Sequence, residues 1–184
     1  MRKSPDARKS DSPVLFASIS ESYLKAFDPI WMAGFSHKDP FCWDTSLILH
    51  PISQLLGIAL ETAVKGLLAC REPDPPRIHD LEQLLNKIDD KELLECFAAS
   101  MADLIGPEAI YEANPNIDRA NVDAKYRSHW LHVKSLNLVY NKPYATRYPD
   151  LGGRSTPNPL AARKIIVIVQ ERLKKEKRNW TPRK

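Results

Sequence analysis

Four polar residues crowd into "LLGIALETAVKGLLACREPDPPRIHDLEQLL", residues 55–85. Glu61 and Lys65 stand four apart in an otherwise apolar run, and His79 and Asp80 follow a proline-rich turn. A carboxylate, an ammonium and an imidazole held together can bind a polar ligand or move a proton. Plainer duties fit the same residues. Glu61 and Lys65 form an i,i+4 pair in the favourable order, worth about 0.2–0.5 kcal/mol when exposed. Asp80, with Gln83 three residues on, reads as a capping box ahead of an apolar run. His79 lies just outside that cap and has no such structural duty. The positive end of the helix disfavours its protonation, leaving a neutral imidazole to accept or donate a hydrogen bond.

The elements that must position these groups are helical. Gly57, Glu61 and Lys65 form a narrow polar stripe on a helix expected over about 45–71, with Leu56, Ile58, Ala59, Leu60, Ala63, Val64, Leu67 and Leu68 around the rest. So little polar face marks a central helix, covered by its own bundle and by a second subunit. His50-Pro51 is its weak point, and "REPDPPR" breaks it. Upstream, Ser12-Pro13 suits a helix start and Pro29 a bend or end. Downstream, "DLEQLLNKI" and "KELLECFAASMADLI" read as helices, "GPEAIYEANPN" as irregular and "IDRANVDAKYRSHWLHVKSLNLVYN" as mainly helical. Residues 142–159, with four prolines and two glycines, form a long loop. The five β-branched residues Ile165–Val169 favour a strand, but helix-compatible flanks and the lack of a partner strand favour a buried helix.

Composition bounds the class. The 184 residues, 43% hydrophobic, suit one soluble domain. The expected layout is a disordered basic tail over 1–12, a single helical bundle over 13–172 and a basic tail over 173–184. Charge follows that division: the net +4 resolves into +3 over residues 1–10, +5 over 171–184 and −4 over the body between them. Basic ends of this kind either anchor nucleic acid or acidic surfaces, or simply stay solvated. No run approaches the roughly 18 apolar residues of a membrane helix, and no apolar segment follows the basic N-terminus as in a secretory signal. Cys42, Cys70 and Cys96 are too widely spaced for a redox pair or zinc knuckle, and read as buried, reduced thiols of a cytoplasmic protein. No cofactor is implied.

A helix reading A-L-E-x-A-x-K-x-L-L over 59–68, a short turn and then H-D-L-x-x-L-L over 79–85 resembles the HEPN domains of prokaryotes and higher eukaryotes. The later "RYP" at 147–149, ahead of a final hydrophobic helix, is similar to members of that group. The resemblance spans about residues 45–172. It implies an all-α, up-and-down bundle of four to six helices, a homodimer, and nucleotide or RNA binding in toxin–antitoxin or defence systems. The partner it implies is RNA or a nucleotide, or an antitoxin of nucleotidyltransferase-like type. On this reading Glu61, Lys65 and His79 line a cleft, with Arg147 and Tyr148 closing over it.

Many HEPN proteins cut RNA without metal through an R-x4–6-H motif, and Arg127 and His132 in "RSHWLH" fit its shortest spacing. A histidine can take a 2′-hydroxyl proton, and an arginine can hold the phosphate. In a continuous helix, however, five positions turn 500° and leave the two side chains about 140° apart. They converge only if the helix breaks or a dimer supplies opposite members. His129 and His132 could share a metal, but no third ligand stands nearby. Tyr144, Arg147 and Tyr148 could stack on bases and grip phosphate, or could pin the proline-rich loop to the bundle. "LGGR" lacks the lysine and preceding strand of a phosphate loop. A structural dimer, with Glu61 and Lys65 as a buried register-fixing pair, is the remaining alternative.

Overall fold

The computed structural model describes residues 12–35, 43–72, 74–106, 108–141 and 157–180. Among them are eight helices and no strand: α1 (Pro13–Phe35), α2 (Trp43–Arg71), α3 (Leu81–Asn86), α4 (Lys91–Met101), α5 (Glu108–Ala113), α6 (Arg119–Tyr126), α7 (His129–Tyr140) and α8 (Pro159–Lys177). The fold is an all-α bundle. Its body is α1, α2, α4, α7 and α8, while α3, α5 and α6 are short connecting segments of one to two turns.

Helix α2 is the axis, packed by α1 along much of its length and by α8 and α7 on other faces. Ile52, Leu56, Ala59, Leu60, Ala63, Val64, Leu67 and Leu68 are all buried there. The segment Pro51–Arg71 is long and apolar enough to cross a membrane by length and composition, beyond what simple runs of apolar residues suggest. Its most apolar window is nonetheless 83% buried inside the protein, as befits a core helix. The chain's own helices thus cover most of it. Gly66 permits close packing: a Cβ there would stand 2.8 Å from Leu173 and 3.0 Å from Phe16.

Several boundaries differ from those expected. Pro29 does not end α1, which runs six residues beyond it to Phe35. Proline deletes one backbone bond, and contacts along α2 hold the helix through that defect. Pro51 likewise lies inside α2. The "GPEAIYEANPN" segment contains α5, anchored because the Asp123 carboxylate accepts bonds from the Gly106 N–H at 2.7 Å and from the Tyr111 hydroxyl. Residues 165–169 are helical, with Ile165, Ile166 and Val169 fully buried. Asn158 caps that helix and Pro159 begins it. Helix α8 continues to Lys177 with Leu173 in the core, so the basic C-terminal segment begins as helix rather than as tail.

Polar contacts fix the register of the bundle. The Gln170 amide donates to the Ser20 hydroxyl at 2.8 Å, which donates to the Ala59 carbonyl at 2.7 Å, joining α8, α1 and α2. At the end of α2, Arg71 bonds Asp90 at 2.8 Å and Glu176 at 2.6 Å, while Arg172 reaches Asp90 and Glu92. Burial alone would raise the Asp90 carboxyl, but Arg71, the Leu93 N–H and Arg172 hold it below its ordinary value. Cys70 beside this cluster is half-buried, and burial together with Glu176 pushes its thiol up to about 11, so it is not a ready nucleophile. Cys96 is exposed, contrary to the expectation of a buried thiol, because it falls on the outer face of α4 while Leu93, Phe97 and Met101 take the inner one.

Candidate functional site

Glu61 is the hub of a node built from three elements. Lys65, one turn further along α2, donates to Glu61 Oε1 at 2.8 Å. His79, in the segment before α3, places Nδ1 at 3.0 and 3.1 Å from the two carboxylate oxygens. Tyr140, at the end of α7, donates its hydroxyl to Oε2. Glu61 and Lys65 are themselves buried. The pair is therefore not the solvated surface bridge that its spacing also allowed.

Gly57 completes the stripe for a steric reason. A Cβ there would lie 2.3 Å from Tyr140 Cδ2, so only glycine lets the ring lie flat on α2 and reach Glu61. Gln54, a turn earlier, donates to the Val139 carbonyl at 3.1 Å and ties down the end of α7. On the other side, the Asp80 carboxylate caps α3 by accepting the Gln83 N–H at 2.9 Å. Asn137 accepts the Leu81 N–H at 2.9 Å and donates to Glu82 at 3.3 Å, fastening α3 to α7. His79 is thus delivered immediately ahead of a helix start fastened by Asp80 and Asn137.

Charge is concentrated at the hub. Burial of Glu61 would raise its pKa, but hydrogen bonds from Lys65, Tyr140 and His79, with the Lys65 charge, outweigh that and hold it below the ordinary carboxylate value. Burial and Glu61 together push the Tyr140 phenol well up. The hub is therefore an ionised carboxylate facing a neutral phenol. His79 alone of its partners reaches far into solvent, its side chain 69% exposed against 8% for Glu61 and 11% for Lys65.

The three expected cleft residues Glu61, Lys65 and His79 are thus brought together. Arg147 and Tyr148, with Tyr144, lie outside the described residues. Tyr140 was not anticipated. The glycine in the stripe did signal a close approach, but not which side chain makes it.

Arg127 and His132 occupy a different corner. The helix does break between them, at Arg127–Ser128. The break turns them to different tasks. Arg127 is exposed and its Nε donates to the Leu104 carbonyl at 3.3 Å. His132 is 2% exposed and its Nε2 donates to the Tyr126 carbonyl at 2.7 Å, satisfying a carbonyl at the end of α6. Burial lowers its pKa and outweighs that backbone bond. His129 packs its ring against Phe97 and Trp130, with centroids 5.1 and 4.9 Å away, and its Nε2 is buried without a hydrogen-bond partner among the described residues. Burial, and then His132, lower its pKa too. No group of three or more metal-binding side chains occurs among the described residues.

Fold and node together define an all-α helical protein with a buried carboxylate hub and an exposed imidazole. Comparison with protein-family models, with curated proteins and with solved structures finds no match to this chain.

Proposed function

We propose that this chain is a HEPN-like module that binds RNA or a nucleotide, with His79 as its contact group and the Glu61 node as the support. The observation that carries the proposal is a buried, ionised carboxylate whose three side-chain donors include one ring left open to solvent. An ordinary core ion pair does not require that third, exposed partner. Glu61 is saturated by its own neighbours and positions His79 rather than touching ligand. The resemblance in the 59–68 and 79–85 segments supplies the ligand class. Homodimeric assembly, a cytoplasmic setting and work beside a nucleotidyltransferase-like antitoxin belong to the same proposal and rest on that resemblance.

A ribonuclease centred on Arg127 and His132 is the weaker reading, because a buried ring already donating to a backbone carbonyl is poorly placed to meet a 2′-hydroxyl. The experiment is binding of a single-stranded RNA and of ATP to the full chain across a salt series. Binding that weakens in His79→Ala and in Glu61→Gln, with folding retained, supports the proposal. Binding indifferent to both variants, and abolished by salt alone, assigns it to the basic ends instead.

A further inference from the structure

His79 is held in one orientation by a bond whose direction can be deduced. An ionised carboxylate only accepts hydrogen bonds, and Nδ1 lies 3.0 and 3.1 Å from both of its oxygens, so the hydrogen between them belongs to Nδ1. In the neutral ring Nε2 then carries no hydrogen. It lies on the edge of the imidazole turned away from Glu61, in a side chain that is 69% exposed. The neighbouring acids are already engaged: Asp80 by the Gln83 N–H and Glu82 by the Asn137 amide. In that neutral tautomer, what the corner presents to solvent is a fixed lone pair.

We infer that the Glu61–His79 bond makes Nε2 of His79 a hydrogen-bond acceptor that selects ligands bearing a hydroxyl donor, so that a ribose 2′-hydroxyl is read and a sugar lacking it is not. The inference rests on the proposed RNA or nucleotide reading and specifies its chemistry. A fixed acceptor gains from a hydroxyl, gains nothing from a fluorine of similar size, and repels a phosphate oxygen that has no hydrogen to give. The 2′-hydroxyl is also the group by which a protein tells RNA from DNA at a given position. Glu61 is a positioning residue here. Lys65 and Tyr140 keep its carboxylate ionised, which keeps the hydrogen on Nδ1.

Two measurements on the full chain test this. The first compares binding of a single-stranded RNA with the same sequence carrying 2′-fluoro sugars, which keep the RNA pucker but lose the donor. The expected result is a preference for RNA of about three- to tenfold, the range of one neutral hydrogen bond, that disappears in His79→Phe. Equal binding of the two, or a preference that survives in His79→Phe, overturns the inference and leaves the binding function standing. Failure of both oligonucleotides and of ATP to bind overturns the function itself. The second measurement needs no ligand: 15N shifts of His79 at neutral pH should report hydrogen on Nδ1 in the wild type, with that tautomer no longer enforced in Glu61→Gln. Hydrogen on Nε2 in the wild type overturns the inference whatever binds.

Discussion

Among the described residues, two histidine neighbourhoods use opposite physics. At the corner of α2, α3 and α7, a carboxylate is buried so that a histidine can stay exposed. At the junction of α6 and α7, two histidines are themselves drawn into the protein, and burial pulls down the pKa of both. His132 spends its hydrogen bond on the end of a helix, and His129 lies between aromatic rings. The difference teaches that histidine spacing in a sequence is a poor guide to availability. The motif with the more suggestive spacing holds structure, and the less conspicuous single histidine faces solvent.

The comparison can be broken at its strongest point first. Glu61→Ala leaves the buried Lys65 ammonium without its carboxylate, a change that typically costs about 3–5 kcal/mol. Chemical denaturation should show that loss, and a change below about 1 kcal/mol would mean the node is more hydrated than its burial indicates. Next comes Gly57→Ala, which drives a methyl group into the Tyr140 ring and should cost about 1–3 kcal/mol. It should also weaken ligand binding by displacing the Tyr140 hydroxyl from Glu61.

Acid sharpens the contrast. The folded-state pKa values of His129 and His132 are depressed, so the unfolded chain takes up protons first as pH falls. Their contribution is fully present above the ordinary histidine value of about 6.5 and declines below it. Glu61 is also depressed, so its contribution is present above the ordinary carboxylate value of about 4.3 and is lost as pH drops through its lower folded value. Denaturation midpoints should therefore fall in two steps, and His129→Phe should reduce the upper one. A flat profile between pH 7 and 5 would show that neither ring is buried in its neutral form. The smallest effect is expected of His79→Ala, about 0.5–1.5 kcal/mol, because Glu61 loses one of its three donors where the exposed ring lets water take its place.

Much of the fold was legible in the sequence. The apolar girth of α2, the Asp80 cap and the Ser12-Pro13 start all read directly from residue types, because each depends on local chemistry. The β-branched run Ile165–Val169 was ambiguous by propensity, and burial within a helical bundle decided it. Glu61, Lys65 and His79 could be grouped from the sequence because two share a helix face and the third follows one turn-rich break. Tyr140 could not, since it arrives from 79 residues away and depends on how α7 docks. The fate of His132 was equally hidden: it depends on the helix break at Arg127–Ser128, which hydrophobic periodicity did not mark.

The most direct test of the account measures, side by side, the affinity of His79→Ala and Arg127→Ala for one single-stranded RNA at two salt concentrations. The account predicts that His79→Ala binds at least several-fold more weakly at both salt concentrations while remaining folded, and that Arg127→Ala stays close to wild type. Loss of binding in Arg127→Ala with His79→Ala unaffected would place the functional site at the α6–α7 junction and contradict the central claim.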